Sequence, residues 1–328
     1  MTPAHASPRS LFSDGRPYPN IGHAVLMAAV VVLLQGACSG ALMFAGGVAD
    51  LLGVAHGLFE ITPVWLAVIN LATFGFVIWW GVAANGAPAR VLLATVPVPV
   101  GTILGVVIAT VGLALVLVAV AIWIEKLLPM PEFVRRMFFD GSALKEHTKS
   151  IAFVLVVVAP LTEETLFRGI VLRGLLARHR PAIAVVVSAL LFGAVHLNPW
   201  QLVPATALGL VYGWWYVRTR SLVPCIFGHA LHNGLVFVLA VWGAAGADTP
   251  SGDDLAAATM PWPVPTIGLA VAAVGLWVTA RTTRAMMAER AATPPPVPPA
   301  PPPLPQAVPS TPPMPPAAAP EETRADAG

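Results

Sequence analysis

The chain has 328 residues, 57% of them hydrophobic and only 10% charged. Ordinary soluble domains carry about 25% charged residues, so this composition excludes a soluble domain and specifies an integral membrane protein. A formal net charge of +2, with no basic run interleaved with aromatics, excludes a nucleic-acid partner.

A membrane-crossing helix needs about 20 mostly apolar residues. Eight stretches qualify: residues 22–46, 63–84, 98–124, 151–175, 181–198, 200–217, 221–243 and 262–280. The first is longer than the roughly 7–15-residue apolar region of a cleaved signal. Gln35 also stands where lipoprotein-type cleavage before Cys38 wants a large aliphatic residue, so a retained span is expected. Pro97 and Pro99 kink the third run or mark its start. Only Leu197-Asn198-Pro199-Trp200 separates the fifth run from the sixth, which makes them an antiparallel hairpin. Cys38 and Cys225 both sit inside apolar runs, which argues against a disulfide framework or a Cys-rich zinc site and for small core residues.

Loop charge orients the spans. Arg9 and Arg16 precede the first span, and Arg90 follows the second. Arg173, Arg178 and Arg180 follow the fourth, Arg218 and Arg220 the sixth, and Arg281, Arg284 and Arg290 the eighth. The alternate loops carry Asp50 and Glu60, Asn198, and Asp248, Asp253 and Asp254, with no Lys or Arg. Both ends are therefore expected in the cytoplasm, at the cell membrane. One loop conflicts: Lys126, Arg135, Arg136, Lys145 and Lys149 crowd residues 125–150, which parity puts outside. A re-entrant or interfacial segment around Met130–Phe139 would reconcile it. After Arg290 the chain turns to Pro and Ala, which read as an extended, disordered tail over 292–328. A plain solvated tail is favoured there over a dock for an SH3-like partner. The expected fold is an all-α polytopic membrane helix bundle of about eight transmembrane helices with an intramembrane catalytic cavity. It comprises an N-terminal segment 1–20, N-terminal helices 21–146, a core 147–245, and a last helix with its flanks 246–291 before the tail.

Polar groups inside these spans carry the chemistry, because a charge at the bilayer centre costs at least ~2.5–3.5 kcal/mol and usually marks function. Glu163 and Glu164 follow directly on the apolar run 151–161, with Arg168 four residues beyond Glu164. Glu164 and Arg168 share a helix face and can pair. Glu163 is rotated by about 100° and stays available. His196 ends the fifth span, and His229 and Asn233 are i and i+4 on the seventh, with His232 close to that face. The bland alternatives are a salt-bridged helix end, an interfacial histidine and interhelical hydrogen-bonding glue. Turn chemistry accounts for Asn198.

Depth bears on these alternatives. At about 1.5 Å per residue, Glu163 lies roughly 20 Å from the cytoplasmic end of its span, His196 about 22 Å, Asn233 about 18 Å and His229 about 12 Å. The polar groups thus fall in one layer, as one shared site requires. Ser150, Ser188 and Ser221 lie at or near span ends, which argues against a serine nucleophile. Glu163 could take a proton from water that His196 helps to hold. His229 and Asn233 could donate to the oxyanion of a tetrahedral intermediate. Alternatively Glu163, His196 and His229 could hold Zn²⁺ with water in its fourth position. Both routes end in amide hydrolysis.

Glu163-Glu164-x-x-x-Arg168, Phe192-x-x-x-His196 and His229-x-x-x-Asn233 resemble the three signature motifs of the CPBP family. These are intramembrane proteases related to CAAX prenyl endopeptidases and to bacteriocin-processing or bacteriocin-immunity proteins. Over residues ~150–240 the motif order and spacing match, on successive helices. The resemblance implies an eight-helix bundle with a conical cavity open to the cytoplasm, and proteolysis of membrane-anchored or lipidated peptides. It implies that Glu163 and His196 activate water, that His229 and Asn233 line the oxyanion hole, and that Glu164 with Arg168 supports them. The family is commonly called one of metalloproteases, and the resemblance leaves metal dependence open. Two rivals remain: a catalytically silent immunity or scaffold protein, and a proton-coupled transporter, whose expected repeat of broken helices the chain lacks.

Overall fold

The structure, a computed structural model, describes residues 18–53, 62–85, 89–132, 134, 146–246 and 260–292. Among the described residues the regular elements are all helical. In chain order, besides a single turn at Ala89–Leu92, they are α1 (Ile21–Leu51), α2 (Pro63–Asn85), α3 (Val100–Leu127), α4 (Thr148–Leu176), α5 (Pro181–Ala194), α6 (Pro199–Thr219), α7 (Val223–Gly246), α8 (Pro263–Thr282) and α9 (Arg284–Ala292). The fold is an all-α polytopic membrane bundle.

Among the described residues six helices are long and apolar enough to cross a membrane: α1, α2, α3, α4, α7 over Val223–Val241, and α8. The hairpin α5–α6 completes the eight expected helices, but α5 has only 14 residues, too few to cross alone. Its fifth span was expected to reach residue 198, and two local features stop it early. Leu197 adopts a left-handed backbone with φ 54°. Asn198 then caps α6, its Oδ1 accepting from the Gln201 N–H at 2.8 Å, as a side chain of that type does. The third helix starts cleanly at Val100, with Pro99 in an extended conformation before it. The two prolines therefore mark a start and not a kink.

α4 runs through the centre of the bundle, packed against α2, α5, α6 and α7. It is not a uniform α-helix, since π-helical stretches at Val154–Val158 and Thr165–Leu172 flank an α-helical segment, Ala159–Glu164. Leu166, Phe167, Arg168, Gly169, Ile170, Val171 and Leu172 are all buried, so the second stretch is core on every side. The most extensive helix pairing joins α3 to α8. Gly112 and Gly275 face backbone there: a Cβ on Gly112 would strike Ala272 and Gly268, and one on Gly275 would strike Ala109 and Gly105. Small residues allow this approach, which is how helices gain contact where lipid removes the hydrophobic drive. Thr102 and Thr282 add a hydroxyl–hydroxyl bond of 3.0 Å.

The connections are stitched from outside the helices. Ser221 Oγ donates to the Val96 carbonyl at 2.6 Å, and Leu222 N–H to Ala94 at 3.0 Å. Arg218 donates to Thr283 Oγ1 and to the Ala280 carbonyl, both at 2.7 Å, closing the end of α8. Trp200 Nε1 donates to the Leu128 carbonyl, tying α6 to the end of α3. One cysteine departs from expectation: Cys225 is buried, but Cys38 is exposed on α1. Most of the expected interfacial segment Met130–Phe139, the N-terminal segment up to residue 17 and the tail from residue 293 lie outside the described residues.

Candidate active site

Glu163 and Glu164 end the α-helical segment of α4 at the point where its second π-helical stretch begins, a backbone irregularity often found at functional sites. The i, i+4 pairing expected for Glu164 is present. Arg168 Nη1 donates to Glu164 Oε1 at 2.9 Å, both side chains being fully buried. Arg168 Nη2 reaches α6 and donates to the Gly209 carbonyl at 3.1 Å. The guanidinium also lies over two rings, 4.5 Å from the centre of Phe192 and 5.4 Å from that of Tyr212. A buried cation needs this many partners, because attraction to one carboxylate rarely repays desolvation.

His229 brings α7 to the same carboxylate. Its Nδ1 lies 2.9 Å from Glu164 Oε1. The Glu164 oxygen that accepts from Arg168 accepts here as well, so His229 Nδ1 carries the hydrogen and donates. The other ring nitrogen, Nε2, then faces Glu163, at 4.0 Å from Oε2. That oxygen is buried and accepts no hydrogen bond among the described residues. The His229 ring stacks on Tyr212, with centres 5.5 Å apart and planes 27° from parallel, and meets Phe192 edge-on at 5.7 Å.

The other expected residues are placed differently. His196 lies beyond the end of α5, in the turn, and not on the helix where it was expected. Its Nδ1 is 2.9 Å from the Phe192 carbonyl and its ring is edge-on to Phe192 at 5.4 Å. His196 and His229 thus share Phe192 as a neighbour, and no bond joins His196 to Glu163 or His229 among the described residues. Asn233 donates from Nδ2 to the Leu155 carbonyl at 2.8 Å, fastening α7 to the first π-helical stretch of α4. His232 is buried beside the site, its Nδ1 without a partner among the described residues. The three serines all donate to backbone carbonyls: Ser150 to His147, Ser188 to Phe167 and Ser221 to Val96. Ser188 is mid-helix on α5 and not near an end, but it is buried and bound.

A three-ligand zinc site does not fit this arrangement. Among the described residues no three His, Cys, Asp or Glu side chains gather closely enough to hold an ion. Glu163 and His229 meet, but His196 does not join them, and His229 Nδ1 is engaged with Glu164.

Two residues beside the site escaped the sequence reading. Asn70 on α2 accepts from Thr162 Oγ1 at 2.8 Å, next to Glu163 in the chain. A carboxamide within the apolar run of α2 was the available signal, by the same rule that singled out Glu163. Tyr212 on α6 stacks against His229, and no sequence pattern ties those two positions.

Residues 146–235 match the family model described as type II CAAX prenyl endopeptidase Rce1-like, a segment that includes Glu163, Glu164, Arg168, His196, His229 and Asn233. Over 103 residues the chain is 27% identical to the protein of Bacillus subtilis (strain 168) named "Putative membrane peptidase YdiL", covering 30% of this chain and 42% of that protein. The chain thus matches less than half the length of this curated relative. No solved structure matches. Through the segment that carries its buried polar cluster, this integral membrane protein is similar to the Rce1-like type II CAAX prenyl endopeptidases and to that membrane peptidase.

Proposed function

We propose that the chain is an intramembrane endopeptidase, in which Glu163 activates water against a peptide bond of a membrane-anchored or lipidated, CAAX-like substrate. One observation carries this reading: Glu164 holds Arg168 and His229 on a single oxygen, while Glu163 presents a buried carboxylate oxygen, without a partner among the described residues, 4.0 Å from His229 Nε2. That separation is too long for a direct bond. A water between them would satisfy the orphaned oxygen and sit where a base can deprotonate it.

In this reading Glu163 takes the proton as water oxygen attacks the carbonyl carbon, and returns it to the amine as the C–N bond breaks. His229, protonated and backed by the Glu164 carboxylate, donates from Nε2 to the oxyanion, where the largest stabilisation usually lies. Asn233 has one amide hydrogen beyond that given to Leu155 and completes this role. His196, with Nδ1 on the Phe192 carbonyl, has Nε2 left to accept from the water. No step needs a metal ligand set. Both termini lie in the cytoplasm by the loop-charge rule, with the protein in the cell membrane.

The test is cleavage of prenylated, membrane-anchored peptides by the full chain in detergent, with products identified by mass spectrometry. E163Q should lower the rate by about 10²–10⁴-fold while melting as the wild type does. Cleavage at the wild-type rate by E163Q would remove Glu163 from the reaction.

A further inference from the structure

We propose that Tyr212 is a positioning residue of this site: the face of its ring holds His229 and Arg168 in register on Glu164, so that His229 keeps Nε2 turned to Glu163. This rests on the proposed function and deepens it.

Tyr212 lies outside the three motifs, on α6, and is fully buried. Its ring meets both groups that donate to Glu164 Oε1. The His229 ring stacks on it at 5.5 Å, and the Arg168 guanidinium lies over it at 5.4 Å. Phe192 contacts the same pair, 4.5 Å from the guanidinium and edge-on to the imidazole. An imidazole bonded through Nδ1 alone keeps a broad freedom about its ring torsion. A face against Tyr212, with planes 27° apart, and an edge against Phe192, at 89°, remove that freedom. Tyr212 is itself held. Trp215 stacks on it at 5.5 Å, and Cys225 Sγ donates to its carbonyl at 3.3 Å. The Tyr212 hydroxyl is buried and makes no hydrogen bond among the described residues, so the ring and not the hydroxyl makes the contact.

The ring and the hydroxyl separate by substitution. Tyr212→Phe should keep the wild-type kcat, whereas Tyr212→Leu should lower kcat by about 10–100-fold, the usual effect of a small misplacement, with KM little changed. A ring that merely fills the core would not move the protonation pattern of His229. The second readout is therefore the ¹⁵N spectrum of the ring nitrogens, with the His229 signal assigned by its loss in His229→Gln. Wild type and Tyr212→Phe should show Nδ1 fully protonated on Glu164, and Tyr212→Leu a mixture in which Nδ1 is protonated only in part. Should Tyr212→Leu fail to fold, Tyr212→Met supplies an apolar side chain without a ring. A ringless variant with wild-type kcat and a fully protonated Nδ1 overturns the proposal, and so does a Phe variant as impaired as the Leu variant. If wild type cleaves nothing, the protease reading fails, while the nitrogen spectrum still decides the role of Tyr212.

Discussion

Glu164 is the residue on which the site turns, because one of its oxygens accepts from both Arg168 and His229. Removing it leaves a fully buried guanidinium with only the Gly209 carbonyl and two ring faces. Breaking one partner of a buried pair typically costs about 3–5 kcal/mol. Glu164→Ala should therefore lower the melting temperature strongly as well as abolish cleavage; an unchanged melting curve would contradict the pairing. The Glu164–Arg168 bond was legible in the sequence, since i, i+4 spacing fixes it locally. The Glu164–His229 bond was not, because it joins positions 65 residues apart. The sequence reading gave Glu164 to Arg168 alone and so left the His229 tautomer undetermined. At the metal, the same geometry predicts that prolonged chelator treatment leaves cleavage intact, with no stoichiometric zinc by elemental analysis. Zinc lost together with activity would reinstate the ligand set Glu163, His196 and His229.

At the scale of elements, the long helices were readable from apolar runs alone, and their interruptions were not. The depth arithmetic assumed straight α-helices rising from one plane, and it set His229 about 8 Å shallower than Glu163. The two nevertheless meet, across a helix that changes between α and π winding on either side of the carboxylates. No residue type announces a π turn. The end of α5 was misjudged for a related reason, since Val195 and His196 are compatible with helix and the left-handed Leu197 and the cap at Asn198 stop it. Helix pairing offers its own test. Gly275→Leu would drive a side chain into the backbone of α3 at Gly105 and Ala109, at a cost of at least about 1–3 kcal/mol for overpacking. Thermal unfolding in detergent should register this as a lower midpoint, with the remaining folded protein still cleaving. An unchanged midpoint would mean that the two helices are not packed so closely.

At the scale of the whole molecule, the bundle surrounds a polar cluster with helices whose outer faces are apolar, including Leu33, Phe44, Trp79, Leu104 and Trp277. In the proposed reaction the substrate reaches Glu163 from within or beside the bilayer, and its anchor should then dominate recognition. The same peptide without its lipid or membrane segment should be cleaved with a much higher KM and a similar kcat, by the logic of binding that is uniform between ground and transition states. Equal KM for both forms would argue against entry through the membrane. The composition announced this enclosure, because a chain with 10% charged residues leaves its few buried charges nowhere to go but inward.

The claim beneath these predictions is that Glu164 and His229 act as one unit, and a double-mutant cycle measures that directly. Cleavage rates are compared for the wild type, E164Q, H229Q and the double variant, each checked for folding. Residues acting as a unit are strongly non-additive, so the double variant should be no slower than the worse single one. Losses that multiply would contradict the account.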